Sequence, residues 1–96
     1  MSDPNQQPLG SAINDFLKTY NLREKIDGIR LIHAWEPIVG SMIAQHTTDL
    51  YVNKKTLYVY LDSPAIRHEL SFASSLLIKR LNEAVQKEII DTIVFR

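Results

Sequence analysis

WEPIVGSMIAQHT, residues 35–47, is the stretch on which the fold of this chain depends. It holds the only tryptophan, a proline, a glycine and an apolar run that leads into the first predicted strand. Because Pro37 disfavours helical geometry at Glu36 but fits the first turn of a helix, we predict a break at Glu36 and a short helix from Pro37 to about Ala44. Gly40 has two interpretations: a close approach of another backbone, or a tolerated small residue.

Length and composition narrow the class of protein. The 96 residues suffice for one small domain, and the 45% hydrophobic content is typical of a globular chain. Lys plus Arg and Asp plus Glu each number 11, so nucleic-acid binding would require a local basic patch and would weaken with salt. The chain has no cysteine, which excludes a disulfide framework and a thiolate metal site.

The N-terminus, MSDPNQQPLG, lacks the basic and apolar segments of a signal peptide, and no apolar run reaches the ~20 residues of a membrane span. We therefore expect a soluble, cytoplasmic protein without membrane contact. Residues 1–10 are predicted to be a flexible lead-in, and residues 11–96 a single domain.

Helical patterns precede the central stretch. A first helix is predicted to start at the N-cap Ser11, and its apolar residues recur at helical spacing up to Asn21. A second pattern continues to Trp35, with Asp27 and the neighbouring charged residues on its solvent side. The apolar positions are Ile13, Phe16, Leu17 and Tyr20 in the first helix, and Leu22, Ile26, Ile29 and Ile32 in the second.

A hairpin follows the central stretch. Aliphatic residues alternate with tyrosines on both sides of Lys54-Lys55, and a two-residue turn there places every aliphatic residue on one face. Lys-Lys is not a favoured turn of this type, and a longer loop that shifts the pairing by two residues would leave the faces unchanged. Either register puts Tyr51, Tyr58 and Tyr60 together on the other face.

One long helix and a closing strand complete the prediction. Ser63 is a predicted N-cap, Pro64 fits the first helical position, and an apolar stripe runs to about Lys87 unless Ser74-Ser75 marks a bend. The stripe contains Ile66, Leu70, Ala73, Leu77, Leu81 and Val85, and is widened by Phe72 and Leu76.

The β-branched run Ile89–Phe95 predicts a strand, which pairs either in parallel beside Leu57–Leu61 or in the opposite sense beside Thr48–Asn53. The predicted class is α+β, a three-stranded sheet with helices packed on one face in the order α-α-α-β-β-α-β.

No catalytic or metal motif is recognised. The three histidines come from different elements and match no metal-ligand spacing, and the chain contains no phosphate-binding glycine loop and no nucleophile elbow. We therefore predict a non-enzymatic protein without metal or cofactor.

The tyrosine face, defined as Tyr51, Tyr58 and Tyr60, is a candidate site for stacking bases, and Lys54 and Lys55 could hold phosphate. Alternatively, these tyrosines only stabilise an exposed sheet face or are covered by a helix.

Several short pieces, taken in order and spacing, resemble the DciA family, bacterial proteins regarded as loaders or operators of the replicative helicase DnaB. The likeness covers about residues 10–96. The pieces are Trp35-x-x-Ile38-Val39-Gly40, His46-Thr47, Leu57-x-Val59-x-Leu61-x-Ser63, Glu69-Leu70, Leu77, Asn82 and Ile90-x-x-Ile93-x-Phe95-Arg96.

The resemblance implies a KH-like domain, shaped like the N-terminal domain of the initiator DnaA, that contacts the helicase and single-stranded DNA. Two departures limit what carries over. Many family members continue in a long basic extension, whereas this sequence stops at Arg96; and Gly40 does not begin a GxxG, the nucleic-acid clamp of KH domains. An RNA-binding module and a protein-interaction domain without nucleic-acid contact therefore remain alternatives.

The central stretch supplies the hallmark residues of the resemblance, Trp35, Gly40, His46 and Thr47. Trp35 is either a core residue at the junction of two helices or an anchor for a partner. Thr47 lies at the predicted corner between helix and strand, where its hydroxyl is placed to bond a free backbone group. Arg96, on the predicted outer face of the last strand, joins the nucleic-acid candidates.

Overall fold

The computed structural model describes residues 22–96, and these form an α+β domain as predicted. The predicted lead-in and first helix lie outside the described residues. The helices are α1 (Leu22–His33), α2 (Trp35–Val39), α3 (Ser41–Gln45), α4 (Pro64–Ser71) and α5 (Ser74–Val85), and the strands are β1 (Thr47–Asn53), β2 (Thr56–Leu61) and β3 (Thr92–Phe95).

The predicted break at Glu36 is wrong. The break lies at Ala34 instead, because α1 ends at His33 and α2 begins at Trp35. Pro37 is the third residue of α2, and the backbone N–H groups of a first helical turn have no partner within the helix, so a proline there breaks no hydrogen bond. The second break falls at Gly40, whose φ of 92° and ψ of 164° are accessible essentially to glycine alone. A Cβ at Gly40 would meet nothing within 4 Å, so the predicted close approach of another backbone is wrong. The positive φ shows that this glycine is required rather than merely tolerated. Its role is to turn the backbone.

The glycine that permits close packing is Gly28. A Cβ there would lie 3.3 Å from Cβ of Val52, so α1 presses its Gly28 side against β1. This contact rotates α1 away from the predicted phase. Ile26 and Ile29 are 45% and 54% exposed, and Asp27, predicted to face solvent, is buried.

Burial of the Asp27 carboxylate is compensated by two cations. Lys87, after the end of α5, donates a hydrogen bond to Asp27 Oδ2, and Arg30 Nη1 lies 3.8 Å from Oδ1. Arg30 also donates to the carbonyl oxygen of Val85 at 2.9 Å. A buried carboxylate requires such partners, and here they attach α1 to the C-terminal end of α5.

The hairpin has the predicted two-residue turn. Lys54 and Lys55 adopt φ values of 48° and 65°, so both are left-handed, as a type I′ turn requires. Asn53 pairs with Thr56, and the pairing along β1 and β2 is the predicted one. β3 pairs in parallel with β2, which gives the order β1-β2-β3 and confirms the first of the two predicted placements.

The long predicted helix is divided at Phe72 and Ala73 into α4 and α5. Its start is as predicted: the Ile66 amide donates to Ser63 Oγ at 3.3 Å, and Pro64 occupies the first turn. Near the break, Ser71 Oγ donates to the His68 carbonyl oxygen, a local bond of the kind that bends helices.

The apolar stripe keeps its position across the break but is narrower than predicted. Leu70, Leu77, Leu81 and Val85 are buried as predicted, but Phe72 and Leu76 do not widen the stripe. They are 77% and 53% exposed.

The closing strand is shorter than the predicted run from Ile89 to Phe95. For the first residues of the predicted run, the side chain of Asn82 makes the backbone hydrogen bonds that a neighbouring strand would otherwise make. Asn82 Oδ1 accepts from the amides of Ile89 and Ile90 at 3.0 and 3.2 Å, and Nδ2 donates to the Ile90 carbonyl oxygen at 2.8 Å. Because these backbone groups are satisfied locally, the apolar Ile89 and Ile90 side chains are buried without strand pairing.

The helices and the sheet share one core between them. α1 and α5 pack together, and the aliphatic side of the hairpin faces this helical layer, as predicted. Within residues 22–96, no helix has the length and apolar character needed to cross a membrane. The buried apolar residues are Leu31, Trp35, Leu57, Val59, Leu61, Leu70, Leu77, Leu81, Val85, Ile89 and Ile90.

Candidate nucleic-acid interface

The tyrosine face lies on the side of the sheet opposite the helical layer. Strand alternation points Tyr51 of β1 and Tyr58 and Tyr60 of β2 away from the core, and the pairing sets Tyr51 directly opposite Tyr58. Val94 of β3 pairs with Tyr58 on the other side, and its side chain shares this outer surface.

The aromatic rings of this surface are stacked. The ring centroids of Tyr51 and Tyr58 are 4.8 Å apart with 19° between the ring planes, and those of Tyr51 and Tyr60 are 6.0 Å apart with 26°. The guanidinium carbon of Arg96 lies 5.3 Å from the centroid of the Tyr58 ring, within range of a cation–π contact. Three aromatic rings and one cation therefore form a continuous outer surface.

A phenol–phenol contact orders the hydroxyl groups. The oxygens of Tyr51 and Tyr60 are 3.5 Å apart. This hydrogen bond raises the pKa of Tyr51 and lowers the pKa of Tyr60, and Arg96 lowers the pKa of Tyr60 further. The opposite directions arise because the two hydroxyl groups share one proton contact, in which either oxygen can donate.

The charges around the tyrosine face are mixed. Asp49 pairs with Tyr60, and its negative charge lies at the same end of the sheet as the positive Arg96. Lys54 and Lys55 lie at the hairpin turn, toward the other end. These two lysines also line a groove whose further charged residues are Glu24, Lys25, Asp27, Lys87 and Glu88.

Of the six residues predicted to contact nucleic acid, the structure brings together Tyr51, Tyr58, Tyr60 and Arg96. The other two, Lys54 and Lys55, lie apart from this group at the hairpin turn. The prediction missed Asp49 as part of this surface, although strand alternation already placed Asp49 on the same face as Tyr51.

Two of the hallmark residues, Trp35 and Thr47, are in contact where α2, α3 and β1 meet, and we call this the Trp35 cluster. Trp35 is 2% exposed, and its indole Nε1 donates to Thr47 Oγ1 at 3.1 Å. Thr47 Oγ1 in turn donates to the Ile43 carbonyl oxygen at 2.8 Å, so it bonds a backbone group as predicted, but this group is not free, because it also accepts from the His46 amide at 3.1 Å. This burial favours the core interpretation of Trp35 over the partner anchor.

His46 has a polar partner rather than an apolar one. Its Nδ1 lies 2.7 Å from Asp62 Oδ1, and its carbonyl oxygen accepts from the Asp62 amide at 3.0 Å. His46 therefore ties the start of β1 to the end of β2. Across residues 22–96, no group of three His, Asp or Glu side chains is arranged to hold a metal ion.

Comparison with known proteins identifies the family of the chain. The family model described as "Dna[CI] antecedent, DciA" matches residues 8–95. The chain belongs to the DciA family. Membership supports a role connected with DNA replication, and the match includes the tyrosine face and the Trp35 cluster.

Curated relatives of this DciA chain are similar at modest identity. A UPF0232 protein of Corynebacterium glutamicum (strain R) is 30% identical over 84 residues, which cover 88% of the chain and 47% of the relative. A UPF0232 protein in the recF-gyrB intergenic region of Mycolicibacterium smegmatis is 26% identical over 87 residues, which cover 91% of the chain and 45% of the relative. The chain thus spans about half the length of these relatives.

Proposed function

We propose that this domain is a non-enzymatic replication factor that helps load or operate a DnaB-type helicase on single-stranded DNA. Membership of the DciA family is the observation that carries the proposal. The helicase is the proposed protein partner, and the domain acts by binding alone.

The proposed DNA contact is the tyrosine face together with Arg96. Stacked aromatic rings accept bases of any sequence, because every base has a π face, and an adjacent cation adds attraction for the backbone phosphate. Among the described residues, Tyr51 is 39% exposed and Tyr58 and Tyr60 are partly exposed, so their rings are accessible from the outer side of the sheet.

Charge limits the affinity of this surface. Arg96, Lys54 and Lys55 are the proposed phosphate contacts, and three contacts on single-stranded DNA correspond to a salt slope of about −2. An increase from 50 to 200 mM salt is then expected to weaken binding about 20-fold.

The test uses fluorescence anisotropy with labelled single-stranded DNA and RNA at two salt concentrations, beside pull-down with purified helicase. Tyr58→Ala is expected to weaken DNA binding about 5- to 100-fold, as for the loss of one stacked base. Tyr58→Phe keeps the ring and is the matched control. Equal DNA affinity of the two variants contradicts the stacking role, and RNA preference without helicase capture favours the RNA-binding alternative.

A specific observation favours a second function, a protein-interaction face without nucleic-acid contact. Asp49 places a carboxylate beside Tyr60, where it would repel a phosphate backbone, and the chain has no net charge. Asp49→Asn separates the two functions. It is expected to strengthen DNA binding if the tyrosine face meets phosphate, and to leave DNA binding unchanged while altering helicase capture if the face meets protein only.

A further inference from the structure

The sheet has an open edge at β3. In the order β1-β2-β3, β3 pairs only with β2, and no strand within residues 22–96 covers its other side. The register shows which backbone groups of β3 pair with β2 and which point to its other side. The amides of Thr92 and Arg96 donate to the carbonyl oxygens of Lys55 and Val59, and the Arg96 carbonyl oxygen accepts from Leu61.

Backbone groups alternate sides along a strand, so every second residue of β3, beginning at Thr92, points its N–H and C=O toward β2, and the residues in between point the other way. The N–H and C=O groups of Ile93 and Phe95 therefore face the open edge. They are arranged like the donor and acceptor row that an additional strand would pair with.

The opposite edge of the sheet is less suited to this mode of binding near the start of β1. The pairing of β1 shifts between Thr47 and Asp49, which is a bulge. The Leu50 amide donates to the Asp49 side chain at 2.9 Å, so a side chain already occupies that edge donor. Bulges and local side-chain bonds are devices that prevent strand addition, and the β3 edge has neither.

A cleft runs alongside the β3 edge. Its volume is about 490 Å³, and it is lined by Ile93 and Phe95 of β3 and by Arg67, His68 and Ser71 of α4. No carboxylate of the described residues lines it. A cleft between a helix and an open edge strand offers backbone pairing on one side and a wall for alternate side chains on the other.

The positive charge of the cleft lies at the Arg96 end of β3. Arg67 Nη1 donates to the Leu61 carbonyl oxygen at 3.2 Å, and the Leu61 amide donates to the Arg96 carbonyl oxygen at 2.8 Å. Just outside the cleft, Phe72 is exposed, with its ring edge-on to His68 at 4.9 Å between centroids. The cleft thus combines the apolar side chains of β3, the polar side chains of α4, an exposed aromatic neighbour and one cationic end.

We infer that the β3 edge and this cleft bind an extended segment of another protein as a fourth strand of the sheet. The segment alternates apolar side chains, which enter the cleft, with polar ones, and carries a carboxylate that meets Arg67. Backbone pairing with Ile93 and Phe95 supplies the contacts that do not depend on sequence, and the cleft supplies the preference for acidic, apolar segments. This site is separate from the tyrosine face and does not rest on the proposed DNA contact.

The experiment measures amide hydrogen exchange by NMR on the full, isotopically labelled chain. The probe is a short, end-blocked peptide that alternates valine with threonine and ends in glutamate. With the peptide near saturation, exchange at Ile93 and Phe95 is expected to slow about tenfold or more, because these two amides gain partners. Val94, whose amide faces β2, is expected to change little. A peptide of the same sequence with alternate backbone amides methylated cannot pair and is expected to give no protection.

The variants address the cleft charge. Ser71→Glu places a carboxylate in the cleft and is expected to weaken binding of the peptide about tenfold, whereas the neutral Ser71→Gln, of similar size, is expected to bind as the unmodified chain does. Far-UV circular dichroism checks that both variants fold.

Three results would overturn the inference: unchanged exchange at Ile93 and Phe95, equal binding of the methylated peptide, or shifts confined to the tyrosine face. Protection that appears without peptide as protein concentration rises would identify a second copy as the occupant, and would also overturn it. Loss of DNA binding by Tyr58→Ala has no bearing on this site, so the two proposals fail separately.

Discussion

Replacing Trp35 with alanine is expected to remove much of the stability of the domain. The side chain is 2% exposed and is among the largest fully buried ones, so the change leaves a cavity between the helices and the sheet. Burial lost in a Trp→Ala change costs about 3–5 kcal/mol, and small domains have only about 5–15 kcal/mol of unfolding free energy in total.

The indole N–H contributes separately from the ring. Trp35→Phe keeps a large ring but leaves Thr47 Oγ1 without its donor, and we expect a cost of about 1–2 kcal/mol. Thr47→Val leaves both the indole N–H and the Ile43 carbonyl oxygen without this partner, and is expected to cost about 1–3 kcal/mol. Because the two changes break the same bond, the double variant is expected to cost less than the sum of the single ones.

The assay is urea denaturation followed by far-UV circular dichroism, which does not depend on tryptophan fluorescence. With a slope of about 1–3 kcal/mol per molar urea, Trp35→Ala is expected to lower the midpoint by roughly 2 M. Phe72→Ala is the control, because a residue 77% exposed in the structure is expected to contribute within about 0.5 kcal/mol. A midpoint for Trp35→Ala equal to that of Phe72→Ala would refute the core assignment, and lost helicase capture at unchanged stability would make Trp35 a contact residue.

Three further predictions concern the backbone and the turns, each measured by the same urea denaturation. Gly40→Ala is expected to cost about 1–3 kcal/mol, because φ of 92° excludes a Cβ even where space is free; a neutral result would disprove that strain. Asn82→Ala removes three hydrogen bonds to Ile89 and Ile90 and is expected to cost about 2–4 kcal/mol, with faster amide exchange at Ile90; unchanged exchange there would contradict the bracing role. Lys54→Asn combined with Lys55→Gly is expected to raise the unfolding free energy by about 1 kcal/mol while making DNA binding less dependent on salt, since the new residues accept positive φ and carry no charge. A loss of stability would show that the turn is not type I′ in solution.

The candidate site was more predictable than the helices. Successive side chains of a strand point to opposite faces of the sheet, so any register that buries Leu57 and Val59 also turns Tyr58 outward. The position of Arg96 over the Tyr58 ring required β3 to lie beside β2, which the sequence left open between two placements.

Which face of each helix is buried was less predictable, because a periodic pattern assumes one continuous helix in one orientation. In α1, the contact between Gly28 and Val52 sets the orientation, so Asp27 is buried and Ile29 is exposed. In the second half of the chain, the predicted stripe is buried on both sides of the break, but Phe72 lies at the break itself and its ring is exposed.

By itself the sequence determined the α+β class, the hairpin with its tyrosine face and the capped start at Ser63, because each depends on residues close together in the chain. Only the tertiary structure decided the strand order, the rotation of α1 and the open edge of β3. These features arise from contacts between segments distant in sequence, whose free energies outweigh local preferences of a fraction of a kcal/mol to about 1 kcal/mol per residue.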